Sequence, residues 1–561
     1  MVAAANPSSV AVVEPLGEQW AEVTFAEMND DATKLAHGLL AMGIGPGKRI
    51  ALLVKPGIEF VTLVFALLRS GATMVLVDAG LGRKNIVRCL KSTQPDGFVA
   101  IPQGHALRLL MRGKFPNAKL NVTVGRRWCW GGETLASLRK LGSSPTAPTA
   151  LPTTIADDPA AIVFTSGSTG PPKGVVYRHE TFTTQCEQIQ RQYDLQPGAV
   201  DLACFPLFGL FNVACGITTV LPQMDFSRPA SCDPVKLFQA ANDWKVSQSF
   251  ASPAVWDRLS RHAEQTGERI PTLRKMFSCG APVPAKVIRR TLAMVAPDAE
   301  LHTPYGATES LPVATIEAQE ILAETAAKTD EGAGVCVGRS FDNVDWRIIR
   351  ITDDPIATID QTQELPQGEI GELIVRAPQV SRQYLLNPFL VKVRDDVNQR
   401  SKIADDPLSQ QGGSWHRIGD VGYFDEQQRF WYCGRKSQRV RHSGGDLFAD
   451  QIEAIVNTIA NVKKSALVGV DGNPVVVVEA TDPDKFLETN QRLHQSVPLS
   501  EALGHARGDM HVLLHKKLPT DIRHNSKINR ELLTAWAAKQ LSFAKQASKL
   551  LGVSPPPTGE E

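Results

Sequence analysis

The sequence lacks the features by which several classes of protein are recognised. Its nine cysteines are scattered, with no C-x-x-C pair and no histidine cluster near them. This spacing argues against a zinc site or a disulfide framework and suits a reducing cytosol. The net charge is only +1, so the overall balance gives no electrostatic reason to expect nucleic acid or an anionic membrane as a partner.

Long apolar runs are also missing. The strongest run, Phe60 to Leu68, stops at Arg69 and is far too short to span a bilayer, so it predicts a buried helix and no transmembrane segment. Near the N-terminus no basic region precedes the apolar stretch, which Glu14 interrupts. We therefore expect no signal peptide and a cytoplasmic protein.

The chain does have size and a regular alternation of strand and helix signals. Its 561 residues exceed what one hydrophobic core usually serves, so we expect at least two domains. A capping box at Thr24 and Glu27 opens a helix that Gly43 ends. Strand, helix and strand signals follow at Ile50 to Val54, Ile58 to Arg69 and Met74 to Val77. This β-α-β order predicts a parallel sheet covered by helices.

The second half of the chain changes character. Strand signals at Val344 to Ile351 and Ile370 to Val375 indicate a β-rich section, and the polar residues 393–414 read as a long mobile loop. A helix at Asp450 to Ile459 and a strand pair at Val462 to Val470 and Pro474 to Ala480 indicate a second domain.

The predicted fold class is therefore α/β. It has a large N-terminal domain of α/β layers plus a β-rich section (residues 1–433), a hinge (434–438) and a small mobile α+β C-terminal domain (439–545). A disordered tail (546–561) is predicted to follow.

The most informative stretch is a polar loop between two apolar runs, which predicts two strands joined by a long turn. Its residues are Thr165, Ser166, Gly167, Ser168, Thr169, Gly170, Pro171, Pro172, Lys173 and Gly174. Glycines let successive backbone N–H groups converge on an anion, hydroxyls add donors, and Lys173 adds a positive charge. The loop is suited to a polyphosphate. It differs from the commoner phosphate loop, because two prolines separate Gly170 from Lys173 and a strand follows. A flexible surface loop is the plain alternative.

Further motifs follow in a fixed order. They are Gly280-Ala281-Pro282, Tyr305-Gly306-Ala307-Thr308-Glu309, Gly419-Asp420, Gly434-Arg435 and Asn525-Ser526-Lys527. Alone, each has an ordinary structural explanation, such as a turn, a helix cap or a solvated lysine. Together with the polar loop they resemble the adenylate-forming superfamily of acyl-CoA synthetases, luciferases and peptide-synthetase adenylation domains, over about residues 20 to 540.

The resemblance implies ATP and Mg²⁺ as cofactors and a role for each motif. The loop from Thr165 to Gly170, with Lys173, would hold the β- and γ-phosphates, and Glu309 would bind Mg²⁺. Thr308 would donate to the α-phosphate, and Tyr305 would stack on adenine beside Gly280, Ala281, Pro282 and Gly306. Asp420 would accept from the ribose hydroxyls, and Arg435 would contact ribose or phosphate. Lys527, with Thr308 and Glu309, would be catalytic.

A narrower resemblance lies in the segments Arg523 to Arg530 and Ser443 to Phe448. These look like the β-lactone synthetases of bacterial long-chain olefin biosynthesis. This implies a small-molecule substrate, a 2-alkyl-3-hydroxyalkanoic acid with two long chains. Acyl-AMP would form, the β-hydroxyl would attack the acyl carbon, and a β-lactone and AMP would leave. It also implies association with other olefin-biosynthesis enzymes.

Two positions depart from the CoA-ligase pattern. Gly209 follows Pro206-Leu207-Phe208 where many ligases have histidine, and Ser437 stands where the hinge usually carries Asp or Lys. An internal nucleophile needs no thiol tunnel, although Ser437 can also serve as an ordinary hinge. Phe205, Phe208, Gly209 and Phe211 are the candidate lining of a dry acyl pocket, with core packing as the alternative. His179 and His302 lie nearest the motifs, but each is more typical of a structural histidine than of a base.

Two rival functions remain open at this point. One is a fatty acyl-CoA ligase or a loader of carrier-protein thiols, which would share the adenylate. The other is a nucleotide-binding scaffold without catalysis, against which the presence of Glu309, Asp420 and Lys527 argues.

Overall fold

The computed structural model describes residues 2–165, 172–385, 397–405, 414–520 and 528–551, and for 544–551 it describes the backbone alone. Two seven-stranded sheets form most of the N-terminal part. The first sheet has the order β7-β6-β5-β3-β4-β8-β9 and is parallel except for β9. Its strands are Glu133–Thr134 (β7), Leu120–Thr123 (β6), Gly97–Ala100 (β5), Arg49–Leu53 (β3), Thr73–Leu76 (β4), Pro159–Phe164 (β8) and Gly174–Arg178 (β9).

Helices cover both faces of the first sheet, as the predicted β-α-β order requires. The helices of this part are Val2–Ala5 (α1), Phe25–Ala41 (α2), Ile58–Ser70 (α3), Gly82–Thr93 (α4), Pro102–Leu110 (α5) and Leu135–Gly142 (α6). The apolar sides of α2, α3 and α6 share one core cluster, whereas α4 and α5 share another on the opposite face. The predicted capping box forms at α2: Glu27 N donates to Thr24 Oγ1 (3.2 Å) and Thr24 N donates to Glu27 Oε2 (2.9 Å).

The second sheet has the order β14-β13-β12-β10-β11-β1-β2 and is parallel except for β2. Its strands are Glu300–His302 (β14), Lys275–Ser278 (β13), Gln248–Ala251 (β12), Val200–Ala203 (β10), Thr218–Val220 (β11), Val10–Leu16 (β1) and Gln19–Thr24 (β2). The helices between them are His179–Gln192 (α7), Pro206–Ala214 (α8), Pro234–Asp243 (α9), Pro253–Thr266 (α10) and Ala285–Ala293 (α11). Proline opens α8, α9 and α10, where its missing N–H costs nothing.

A third, antiparallel sheet forms the predicted β-rich section, in the order β15-β16-β21-β20-β18-β17, with β19 beside β20. Its strands are Ala314–Thr315 (β15), Val335–Ser340 (β16), Phe430–Arg435 (β21), Ser414–Phe424 (β20), Gly371–Arg376 (β18), Asp345–Ile349 (β17) and Lys402–Ala404 (β19). A helical stretch joins β15 to β16 through Ala318–Glu320 (α12), a π-helical turn at Ile321–Thr325 and Ala326–Asp330 (α13). The strand β19 corrects the prediction of a continuous loop over 393–414, because its backbone pairs with β20.

The C-terminal part builds separate sheets, β22-β23 and β24-β25-β26. Its strands are Val440–His442 (β22), Gly445–Leu447 (β23), Val462–Val470 (β24), Asn473–Ala480 (β25) and His511–Leu514 (β26); its helices are Ala449–Thr458 (α14), Phe486–Gln495 (α15), Val497–Leu503 (α16) and Arg530–Leu551 (α17). The predicted helix and strand pair are confirmed. The helix α17 continues to Leu551, past the predicted start of the tail at residue 546, through a run rich in Ala, Lys, Gln and Leu, all good helix formers.

The limits of the domains and the hinge at 434–438 stay predictions. Among the described residues, no helix combines the length and the hydropathy that a membrane crossing needs.

Candidate functional site

A cavity of about 1840 Å³ lies where the two parallel sheets direct the carboxyl ends of their strands. In open α/β sheets ligands bind outside these ends. The residues that follow β10, β12, β13 and β14 all line it; they are Phe205, Ser252, Gly280 and Tyr305. The first sheet contributes residues at the ends of β3, β4, β5 and β8, namely Leu53, Val77, Ile101 and Thr165. The fold therefore brings residues of three predicted motifs, Thr165, Gly280 and Tyr305, to one cavity.

Tyr305 and Arg435 line the polar wall of this cavity, and both contact Asp420, which is buried and does not itself line the cavity. Asp420 and Arg435 are cross-strand partners on β20 and β21, and Arg435 Nη1 lies 2.9 Å from Asp420 Oδ1. The Tyr305 hydroxyl donates to Asp420 Oδ2 at 2.5 Å, and Arg435 also donates to the carbonyl of Ile418 (2.9 Å). Three residues that the sequence assigned separately to one nucleotide thus contact one another.

The electrostatics of this group favour fixed protonation states. The Asp420 carboxylate raises the pKa of Arg435 above its ordinary value. Burial, with the charge of Asp420 as the second cause, raises the pKa of Tyr305 well above 10. Arg435 therefore stays cationic and Tyr305 stays a hydrogen-bond donor across the physiological pH range.

Glu309 lines the same cavity and is held by a tyrosine that the sequence did not single out. The Tyr384 hydroxyl donates to Glu309 Oε1 at 2.6 Å. The Lys173 ammonium lies 5.3 Å from the centre of the Tyr384 ring, within range of a cation–π contact. Tyr384 thus connects the predicted metal ligand with the predicted phosphate-binding lysine.

Ser381 and Tyr384 belong to one segment that contacts Glu309. The backbone N–H of Ser381 donates to the Glu309 carbonyl at 2.8 Å and so anchors the backbone of that segment. An isolated bridge pairs Tyr384 with Val175 at the start of β9. Magnesium binds through one or two carboxylates and keeps several waters. A single carboxylate on the cavity wall therefore fits this ion, although no group of three or more His, Cys, Asp or Glu side chains gathers among the described residues.

Thr165 and Lys173 lie where the two strands of the predicted hairpin meet its loop. The strands β8 and β9 pair in antiparallel fashion up to Phe164 and Gly174. Beyond that pair, Thr165 N donates to the Lys173 carbonyl (3.0 Å) and Lys173 N donates to Thr165 Oγ1 (3.2 Å). Thr165 and Lys173 both line the cavity. Ser166, Gly167, Ser168, Thr169 and Gly170 lie outside the described residues, as does Lys527.

The remaining residues predicted to bind the nucleotide fall into two groups, those that line the cavity and those that do not. Gly280, Gly306 and Thr308 line the cavity, and the Thr308 carbonyl accepts a hydrogen bond from Tyr177 (2.6 Å). Gly280 has φ +99°, a conformation that suits glycine in the turn after β13. Ala281 and Pro282 continue this turn toward α11 without contributing to the wall.

The apolar wall comes largely from α8. Phe205, Phe208 and Phe211 line the cavity as predicted, and the ring of Phe208 stacks on Phe250 with 4.2 Å between centroids. Gly209 departs from the prediction. A Cβ built on it would lie 2.8 Å from the Thr219 side chain, so Gly209 faces β11 and lets the helix pack closely on the sheet.

A group of buried polar side chains connects α8 to the second sheet. Gln248 Nε2 donates to Asp201 Oδ2 (3.0 Å) and to Asn212 Oδ1 (3.2 Å), and all three residues are buried. Asn212 lies on α8, while Asp201 and Gln248 lie on the neighbouring strands β10 and β12. Burial raises the pKa of Asp201 to about 7.

Sequence reasoning missed a second cluster beside Glu309. Lys402 donates to the Ser381 carbonyl and its ammonium lies 5.5 Å from the Tyr384 ring centre. Burial lowers the pKa of Lys402 to about 7 and lowers that of His416 well below 6.5. His416 Nδ1 lies 3.0 Å from the Ser401 carbonyl. Lys402 lies outside every motif, and His416 lies just before the Gly419-Asp420 motif; their contact depends on the pairing of β19 with β20.

His179 and His302 do not line the cavity. His302 lies 3.2 Å from Glu300 and packs against Tyr193 and Phe277, as a structural histidine does. Ser437, by contrast, does line the cavity, next to Lys436, whose ammonium pairs with the buried Glu372 at 2.9 Å.

A family model for AMP-binding enzymes matches residues 1–385, which include the hairpin, the Gly280 turn and the Tyr305–Glu309 segment. The chain belongs to this family. Two relatives share 42% identity with it, both called olefin beta-lactone synthetase. The one from Stenotrophomonas maltophilia aligns over 92% of this chain and 91% of its own length, and the one from Xanthomonas campestris has the same coverage.

Solved structures of AMP-binding enzymes share the fold. The o-succinylbenzoate coenzyme A synthetase MenE from Bacillus subtilis, in complex with ATP and magnesium ion, superposes with a TM-score of 0.70 at 19% identity. The match covers 94% of this chain and 97% of MenE.

Proposed function

We propose that this protein is an ATP-dependent β-lactone synthetase. It would convert a long-chain 2-alkyl-3-hydroxyalkanoic acid into an acyl-AMP and then into a β-lactone, with AMP and pyrophosphate as the other products. The observation that carries this proposal is the 42% identity, over 92% of the chain, with proteins called olefin beta-lactone synthetase. The cavity supports it, since one wall suits a nucleotide and the other suits alkyl chains.

In the first step a carboxylate oxygen of the substrate attacks the α-phosphorus of ATP. The bond from that phosphorus to the bridging oxygen breaks, and pyrophosphate leaves. Tyr305 would offer its ring to adenine, Asp420 would accept from the ribose hydroxyls, and Arg435 would contact ribose or phosphate. Their mutual contacts fix these groups before the nucleotide binds, which lowers the cost of reorganisation.

A second set of residues would hold the phosphates and the metal. Lys173 and the loop from Thr165 to Gly170 would bind the β- and γ-phosphates, and Thr308 would donate to the α-phosphate. Glu309, held by Tyr384, would bind Mg²⁺. The ion supplies charge neutralisation of the phosphate oxygens when bound. Lys527 would contact the carboxylate and the α-phosphate during transfer.

In the second step the β-hydroxyl oxygen attacks the acyl carbon. Its proton is released to the solvent, the bond between the acyl carbon and the phosphate oxygen breaks, and AMP leaves. Well-oriented intramolecular reactions reach effective molarities of roughly 10⁵ to 10⁸ M, and ring strain keeps a four-membered closure below that range. The mixed acyl–phosphate anhydride of the adenylate supplies the drive, and the aromatic wall would keep water from it.

The cavity offers two apolar regions for the two chains of such an acid. One is formed by Phe208 and Phe211 of α8, and the other by Val77, Ile86 and Leu107 beside the first sheet. A linear fatty acid would fill only one of them. Association with other olefin-biosynthesis enzymes is a further part of the proposal.

Product analysis tests the function. The protein is incubated with ATP and a 2-alkyl-3-hydroxy acid, with and without coenzyme A, and the products are identified by mass spectrometry. We expect β-lactone, AMP and pyrophosphate without any thiol. The matched substrate control is the same acid without its 3-hydroxyl, which should support exchange of labelled pyrophosphate into ATP but give no lactone.

The outcomes separate the alternatives. A product that strictly requires coenzyme A would make the protein an acyl-CoA ligase, and background exchange with every acid would overturn adenylation itself. Lys527→Ala should lose exchange while keeping ATP binding, because the contacts of this lysine belong mainly to the transition state. Unchanged turnover in this variant would remove Lys527 from the mechanism.

A further inference from the structure

The near-neutral overall charge hides a strongly basic segment. Residues 79–132 contain ten Lys or Arg and a single acid, Asp96, in a chain whose net charge is +1. Asp96 is itself paired with Lys48 (3.2 Å). The segment therefore carries a charge of +9, and the rest of the chain is acidic overall.

The structure concentrates these charges on one surface. The helices α4 and α5 pack on the same face of the first sheet, and exposed cations lie on α4 and in the segments that follow α5 and β6. Arg83, Lys84 and Arg88 of α4 are exposed, as are Arg112 and Arg126 after α5 and β6. Within the described part of the chain none of these five cations forms an ion pair, so their charge faces solvent without compensation.

Large apolar side chains stand among the cations. Leu110 at the end of α5 is 82% exposed, and Trp128 is 64% exposed. The loop that carries Trp128 is fixed to α5, because Arg108 donates to the Trp130 carbonyl (2.9 Å) and the Trp130 ring stacks on His105. Trp128 stacks in turn on Trp130, with 5.8 Å between centroids. The exposure of Trp128 is therefore a feature of an ordered surface.

We propose that this surface binds anionic lipid membranes peripherally. We call it the basic face and define it as the solvent sides of α4 and α5 together with residues 112–114 and 125–130. Tryptophan and leucine insert at the boundary between headgroups and acyl chains, while lysine and arginine attract anionic headgroups. Exposed Leu110 and Trp128 near uncompensated cations fit a membrane better than a nucleic acid. The backbone of a nucleic acid attracts cations but offers no apolar surface for an exposed leucine.

The location of the basic face connects it with the cavity. Ile86 of α4 and Leu107 of α5 line the cavity on the inner sides of the same two helices. A membrane bound to the outer sides would lie next to the apolar region of the cavity. Long-chain acids dissolve mainly in membranes, so a protein that docks there meets its substrate at high local concentration.

Vesicle binding tests this without any substrate, so its outcome is independent of the proposed function. The full-length protein is mixed with extruded vesicles of phosphatidylcholine alone or with about 30% phosphatidylglycerol, which gives a negative surface potential, and binding is measured by flotation. We expect binding to the anionic vesicles alone, weakening as salt is raised. The triple variant Arg88→Glu, Arg112→Glu and Arg126→Glu should bind at least about 100-fold more weakly, since each cation contributes roughly a factor of five.

Two controls keep the result specific. Lys34→Glu, Lys236→Glu and Lys286→Glu together reverse three exposed cations on other surfaces and should bind like the wild type. Trp128→Ala should weaken binding without changing its salt dependence, since it removes insertion and leaves the charge. Circular dichroism confirms that each variant folds.

Equal binding of the wild type and the charge-reversed variant would overturn the proposal, as would equal binding to neutral and anionic vesicles. Failure to bind either kind of vesicle would also overturn it. An acidic protein that the basic face retains would then be the partner of that face instead.

Discussion

On one side of the cavity, Tyr305 and Arg435 are both held by the buried Asp420, through a hydrogen bond and an ion pair. On the other side, Phe208 and Phe211 project from a helix and contact their neighbours only through packing. Directional contacts make the polar wall intolerant of change, because removing one partner leaves the others unpaired. Packing makes the apolar wall adjustable, because another side chain of suitable volume can replace the one lost.

Loss of the charge on Asp420 should have the largest effect. Asp420→Asn leaves Arg435 without its anionic partner and weakens the acceptor proposed for ribose. We expect kcat/KM for ATP in pyrophosphate exchange to fall at least about 100-fold, with little change in KM for the acid. Asp345→Asn is the matched control, because Asp345 pairs with Arg376 at the exposed edge of the same sheet and such pairs contribute little. Wild-type exchange in Asp420→Asn would show that the polar wall is tolerant too.

The buried group of Asp201, Asn212 and Gln248, which lies behind the apolar wall, should make the free energy of unfolding depend on pH. Burial raises the pKa of Asp201 to about 7, against about 3.9 in an unfolded chain. Between these values the folded state holds a proton that the unfolded state releases. The contribution is therefore complete below about pH 4 and is lost as the pH rises through 7, by roughly 1 kcal/mol per pH unit.

Urea unfolding at about pH 5 and about pH 8, on either side of the folded-state pKa, checks this expectation. Asp201→Asn should lose much of the pH dependence, because an amide keeps the shape without the ionisation. Asp243→Asn, at an exposed position on α9, should retain it. Identical pH dependence in the wild type and Asp201→Asn would contradict the assignment.

The smallest effect should come from the apolar wall itself. Phe211→Ala removes part of the surface proposed for an alkyl chain, and Phe211 is only half-buried, so the fold should tolerate the change. We expect KM for long-chain acids to rise about 5- to 10-fold, with no change for short-chain acids or for ATP. Phe543→Ala, whose ring is 67% exposed, is the control. A rise that does not depend on chain length would place the alkyl chain elsewhere.

Patterns that repeat along the chain were predictable. The capping box before α2, the β-α-β order around β3 and β4 and the strand pair β24–β25 all formed within a few residues of the expected bounds. Each depends on local signals, which are the spacing of apolar side chains and the residues that start or stop an element. The motif residues were also recognisable, since their types and order carry the chemistry.

Contacts between distant segments were not predictable in this way. Tyr384 donates to Glu309, and Lys402 lies over the Tyr384 ring; no spacing in the sequence indicates either contact. Gly209 was expected in the pocket, but the rotation of α8 on the sheet turned it toward Thr219. The overall charge likewise concealed the basic face, because a sum over the chain contains no information about position.

The sequence by itself determined which residues are available for the chemistry, the alternation that makes parallel sheets, and the family to which the chain belongs. The tertiary structure decided that Asp420, Arg435 and Tyr305 meet, that Tyr384 fixes Glu309, and that the cations of α4 and of the segments after α5 and β6 share a surface. The physical reason is that hydrogen bonds and ion pairs act over a few ångströms of space, whereas the sequence orders residues only along the chain.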